Sequence, residues 1–222
     1  MGKNNNSTFM IQLSIVVILG VLLLYNLSIP KVAAPQAQTS TSSGQGSSAI
    51  MQAIIPTGVP AVYGAELGIS FDDVSVNSPS KADATIRKLG GFDDGIQLSA
   101  ADKTRYINIL YNMENGISCE YCCGARAVIF ETGEAACGCA HSYAMRGLTK
   151  YLLTKHGAEY SDAQILEEVG KWKVLFFPGI LASKAQVLQN QGIELNYINL
   201  ASNKFRGIEQ GQSTGGSMVG GC

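Results

Sequence analysis

Five of the six cysteines in the chain, Cys119, Cys122, Cys123, Cys137 and Cys139, fall inside one 21-residue window, and this crowding limits the fold more than any other feature. Cysteines that staple a small domain are spread along it, whereas a local cluster marks a site. The window reads Cys119-Glu120-Tyr121-Cys122-Cys123-Gly124, then residues 125–136, then Cys137-Gly138-Cys139-Ala140-His141. Inside the gap Val128-Ile129-Phe130 is β-prone and Glu131-Thr132-Gly133-Glu134 is a turn, which predicts a small hairpin. Directly after it a helix is predicted over 140–155, with His141, Met145, Leu148, Tyr151 and Leu152 on one stripe and Gly157 as its stop.

The resulting order of knuckle, hairpin and helix is that of treble-clef zinc sites, which take two ligands from the knuckle and two from the start of the following helix. The expected fold class is therefore mainly α, a small helical domain with a treble-clef-like cysteine site. A metal-bound cysteine must be a thiolate, and the positive end of the helix dipole lowers thiol pKa where Cys139 and His141 stand. A closed tetrahedral Zn²⁺ site needs four ligands, and soft thiolates equally suit Cu(I). The preferred set is Cys119, Cys122, Cys137 and Cys139, with Cys123 and His141 as alternates.

This surplus of ligands leaves room for a multinuclear cluster, a spare disulfide or a redox-active thiol. Met145 could add a thioether to copper, although a methionine on a helix stripe is ordinarily core. Structural disulfides compete with the metal reading. Neighbouring Cys122 and Cys123 do not bridge easily, and 137–139 is close to the minimum loop, so such bridges would join the two clusters. Cys222, alone in the tail, reads as a free or intermolecular thiol.

Residues 9–29 contain no charged side chain and, as a helix, span about the 30 Å of a bilayer core. They are expected to form one transmembrane anchor behind a short segment, 1–8, with a cleaved signal peptide as the competing reading. Residues 30–50 read as a flexible linker without charge beyond Lys31, which favours an extracytoplasmic domain. The cysteine-rich domain is expected over 51–210 and a mobile Gly-rich tail over 211–222.

Within the domain, irregular structure is expected over 56–78. Helices are predicted over 80–89, closed by Gly90-Gly91, and from Ser99 to Gly116 with Tyr106, Ile107, Leu110 and Met113 on one face. Two more are predicted from the Ser161 capping box to Pro178 and over 182–191. His156 reads as a cation at a helix C-terminus, Asp72-Asp73 and Asp93-Asp94 as solvated turns, and Trp172 as core. With a net charge of −1 and no basic run, nucleic acid is not expected as a partner. No catalytic triad order, phosphate loop or dinucleotide fingerprint appears, so nothing marks an enzyme.

Over about 106–170 the chain resembles the PCYCGC-motif proteins, which are exported and membrane-tethered. The likeness lies in a helix leading into Cys119-Glu120-Tyr121-Cys122-Cys123-Gly124, the later pair Cys137-Gly138-Cys139, an alanine-rich helix, Gly157 and a further helix with Ile165. Metal binding is what this resemblance implies. The third and fourth helices also look somewhat like the anchored thiol-reducing subunits of cytochrome c maturation, which carry a single Cys-x-x-Cys. Three functions follow in order: a tethered metal-binding protein, a thiol-disulfide oxidoreductase, and a cell-surface assembly protein whose cysteines are structural.

Overall fold

The computed structural model describes residues 43–120, 124–211 and 218–220, with side chains from residue 49 onward. The segment 1–8 and the predicted anchor 9–29 lie outside them. Among the described residues no helix is long and apolar enough to cross a membrane. The described elements are mainly α, and the only β pairing among them is two isolated bridges.

Where capping residues are written into the sequence, helices begin as expected. Helix α6, Asp162–Phe176, starts from Ser161, whose hydroxyl accepts from Gln164 N while Gln164 Oε1 accepts from Ser161 N. Helix α4, Ala100–Ile107, starts from Ser99, which accepts from Asp102 N. Helix α5 covers Ala140–His156, within a residue of the expectation. Around these pack α1, Ser43–Ile54, α2, Gly64–Leu67, α3, Pro79–Gly95, α7, Pro178–Asn190, and α8, Tyr197–Ala201. Helix α1 begins inside the stretch read as a linker, and its Ile50 and Ile54 are buried.

Two helices depart from the sequence reading for tertiary reasons. Helix α3 does not stop at Gly90-Gly91 but continues to Gly95. Gly90 lies against Tyr143, and a Cβ on Gly147 would come within 2.0 Å of the Leu89 carbonyl oxygen. The glycines are therefore the surface across which α3 and α5 pack, and the extra turn carries Asp93 into the interior. That corrects the reading of Asp93 as a solvated turn, since it is buried and ion-paired to Arg146 and Lys150.

The helix expected up to Gly116 is instead α4 followed by a π turn, Asn108–Asn112, and a 3₁₀ turn, Met113–Asn115. Glu114, Asn115 and Gly116 have φ of 47°, 65° and 82°, which turns the chain so that Ile117 N donates to Leu110 O. Tyr106 and Leu110 stay buried throughout. Pro178, expected to end α6, instead occupies the first turn of α7, where its missing N–H loses no hydrogen bond.

Trp172 and Met145 are core, as expected. The Trp172 indole N–H donates to Tyr63 Oη at 2.8 Å, Tyr63 donates to Glu168 Oε2 at 2.9 Å, and the Phe71 ring lies 4.9 Å from the indole. The irregular stretch 56–78 supplies Tyr63 and Phe71, broken only by α2 and a 3₁₀ turn at Phe71–Asp73. The His156 ring contacts Glu159 and Glu66, a role beyond simple capping. In the tail, read as too polar to pack, Val219 is buried and donates its N–H to Phe176 O at 2.9 Å.

The two classes of glycine in α3 and α5 give opposite expectations. Gly147→Ala drives a methyl into the backbone of α3 and should cost about 1–3 kcal/mol or more. Gly91→Ala meets nothing within 4 Å and should stabilise the helix by up to about 1 kcal/mol. Urea denaturation midpoints of the two variants check both signs.

Candidate metal centre

The cysteine-bearing segments are tied together through Val128. Its N–H donates to Ile117 O and its carbonyl accepts from Ala136 N. The predicted hairpin is present in minimal form, with one bridge between Ile129 and Ala135 and Phe130 N donating to Glu134 O. Ile117 is bridged on its other side to Ser202. Cys119, Cys137 and Cys139 therefore leave a short, braced platform just before the N-terminus of α5.

Their sulfurs converge. Cys119 Sγ and Cys137 Sγ are 3.4 Å apart, Cys137 Sγ and Cys139 Sγ are 3.6 Å apart, and all three lie within 4.8 Å of one another. These three cysteines form a group that could hold a metal ion. Cys119 and Cys137 are buried and Cys139 is half-buried. Cys122 and Cys123 lie outside the described residues, as does Cys222. Cys119 and Cys139 carry thiols, whereas Cys137 is disulfide-bonded, and a disulfide sulfur must be reduced before it can ligate.

Cys139 is the N-cap of α5, and its sulfur accepts from Ser142 N at 3.4 Å and lies 3.3 Å from Ser142 Oγ. Its pKa falls far below the ordinary thiol range. The hydrogen bond from Cys119 is the largest cause, partial burial opposes it, and hydrogen bonds from His141 and Ser142 add to it. His141 is thus a supporter of the Cys139 thiolate. It stands outside the converging trio, its Nε2 2.7 Å from Val219 O and its ring packed 4.9 Å from both Phe176 and Phe177.

A second polar group, not foreseen in the sequence, adjoins Cys119. Glu120, with φ of 49°, buries its carboxylate 2.5 Å from Lys173 Nζ and 3.8 Å from Lys184 Nζ, and all three side chains are almost fully buried. Burial pushes the Glu120 carboxyl up, but the two lysines outweigh it and hold the pKa below its usual value. Burial pulls Lys173 down to about 8 against the opposing pull of Glu120, so at neutral pH both remain charged. Lys173 also donates to Ala201 O, and Arg206 donates to Glu120 O and Ala125 O. Only the short spacing of polar residues in otherwise apolar helices, Lys173 beside Trp172 and Lys184 beside Ala185, hinted at this in the sequence.

A separate cavity of about 460 Å³ lies beyond Val219, lined by Met51, Phe71, Val74 and Leu175 among others. Its one carboxylate, Asp72, is already engaged by Gly58 N and Ser70 Oγ, so the reactive groups of the molecule gather at the sulfurs rather than in the largest hollow. A comparison with protein-family models, curated proteins and solved structures finds no match for the chain.

Two outcomes follow from these charges. In the metal-free protein, Cys139 should be alkylated by iodoacetamide at pH 5 nearly as fast as at pH 8, whereas a thiol of pKa about 8.5 slows by roughly a thousandfold; peptide mapping reads the rate. For Glu120 the folded pKa lies below the unfolded one, so its contribution is complete above the unfolded value and is lost as pH falls through the folded value. Glu120→Gln should cost about 3–5 kcal/mol at pH 7, because it strands two buried cations, and should remove part of the acid loss seen in wild-type urea titrations.

Proposed function

We propose that the chain is a membrane-tethered, extracytoplasmic metal-binding protein that holds one soft ion, Zn²⁺ or alternatively Cu(I), in its reduced form. Cys119, Cys137 and Cys139 supply three thiolates, and the fourth position falls to Cys122, with Cys123 or His141 as alternates. The observation that carries this reading is the spacing of the three sulfurs. Zn–S bonds of about 2.3 Å place neighbouring sulfurs of a tetrahedron about 3.8 Å apart. The sulfur pairs at 3.4 and 3.6 Å need to open by only a few tenths of an ångström to accept an ion.

The tether and its side of the membrane are argued from the sequence, from the charge-free run 9–29 and the uncharged linker after it. The likeness to PCYCGC-motif proteins at 106–170 supports the same assignment. A rigid, mostly buried trio favours slow exchange of the ion. The thiol-disulfide oxidoreductase reading is kept as second, on the single ground that Cys137 is disulfide-bonded beside two thiols.

The test uses the full chain in detergent, reduced by a thiol-free phosphine without oxygen and titrated with Co²⁺. One Co²⁺ per chain should bind with intense thiolate-to-metal charge-transfer absorption and release of protons. Cys137→Ser should lose that absorption. Weak, thiolate-free Co²⁺ spectra in the reduced wild-type protein would overturn the metal assignment.

A further inference from the structure

We propose that Cys137 is a disulfide-exchange centre, passing its disulfide between its present partner and Cys119. The exchange stands without a metal; only its consequence for metal uptake rests on the function proposed above.

The trio holds sulfur at two oxidation levels, with Cys137 in a disulfide and Cys119 and Cys139 as thiols. Among the six cysteines, this leaves Cys122, Cys123 and Cys222 to supply the present partner. Cys119 Sγ rests 3.4 Å from Cys137 Sγ, within contact distance for a thiolate attacking a disulfide. Eighteen positions separate the two residues, so a Cys119–Cys137 bridge closes a comfortable loop. Cys139, at 3.6 Å but only two positions away, would close a small and strained one. Cys119 is therefore the exchanging thiol and Cys139 its neighbour.

The frame favours the step because it demands little movement. Val128 hydrogen-bonds to both cysteine-bearing segments, Arg146 Nη1 donates to Cys137 O at 2.7 Å, and Arg206 Nη2 donates to the carbonyl of Glu120 beside Cys119. In the exchange, the Cys119 thiolate attacks Cys137 Sγ. The new S–S bond forms as the bond to the present partner breaks, and the partner leaves as a thiolate that takes up the proton Cys119 released. One disulfide is lost and one gained, so no oxidant or reductant is consumed. An external dithiol that attacks the Cys119–Cys137 bridge is oxidised to its own disulfide and leaves both sulfurs as thiols. That reduced state presents three sulfurs to a metal, whereas either disulfide state withholds Cys137.

The full chain, purified without reductant, would be denatured in acid, alkylated with N-ethylmaleimide and mapped for disulfides by mass spectrometry. Two populations are expected, Cys137 joined to Cys119 and Cys137 joined to a second cysteine, and in Cys119→Ser the second should account for all of Cys137. A single pairing of Cys137 in the wild-type protein, whichever it is, overturns the proposal and needs no variant to fold. Reducing the same preparation and adding Co²⁺ separates the two ideas. Two pairings with no thiolate-to-Co²⁺ absorption sink the metal function alone, and that absorption with one fixed pairing sinks the exchange alone.

Discussion

Arg146 is 1% exposed, and a guanidinium so placed must have its charge answered inside the protein. Its Nε donates to Asp93 Oδ2 at 2.6 Å, and its Nη1 donates to the carbonyls of Cys137 at 2.7 Å and Val128 at 3.3 Å. The Tyr143 ring faces it at 4.5 Å, and Lys150 completes the answer to Asp93 at 2.8 Å. Desolvating such a pair costs several kcal/mol per ion, so good geometry is required for it to persist. Three features depend on meeting that requirement. Helix α3 must run past its glycines as far as Asp93, α5 must approach α3 at glycine distance, and the backbone of Cys137 must stand over the guanidinium. One side chain thus couples the main helix pair to the position of the central sulfur.

A second set of polar contacts holds the Cys119 side from outside. Asn203 accepts from Ser118 Oγ and donates to Asn115 O and Arg126 O, so a short C-terminal turn stitches both ends of the cysteine loop. Beneath it, Lys173 and Lys184 grip Glu120 from two different helices. Positive φ at Glu120 and Gly124 brackets the knuckle and matches its need to reverse sharply. The sulfurs are consequently mounted on hydrogen-bonded backbone fixed at both edges, which is what a thiolate site needs if its ligands are to hold their geometry.

What could be read from the sequence were features with local causes. Ser99 and Ser161 cap their helices through side chains three residues on, the turn 131–134 closes its hairpin, and Cys139 stands at a helix N-terminus because the apolar stripe begins just after it. What escaped were features whose causes lie far away in the chain. Gly90-Gly91 looks like a stop until Gly147 is brought against it, and Asp93 looks solvated until Arg146 arrives from 53 positions away. Val219 looks too isolated to pack, yet His141 and Phe176 await it. The candidate trio was legible as a cluster, but the choice of Cys119, Cys137 and Cys139 depends on the platform at Val128, which no spacing encodes.

The surplus of cysteines has one physical explanation under both proposed chemistries. A metal draws thiolates to about 3.8 Å from one another and a disulfide draws two of them into covalent contact, so the same crowded arrangement lies close to both. Cys119, Cys137 and Cys139 occupy that intermediate spacing, near enough for a sulfur to change partners and open enough to admit an ion. Binding an ion would withdraw electron density from the thiolates and oppose exchange, and forming a disulfide would remove a ligand and oppose binding. On this view the metal and the disulfide compete for Cys137, and the rigid frame around Arg146 keeps the outcome a matter of sulfur chemistry rather than of refolding.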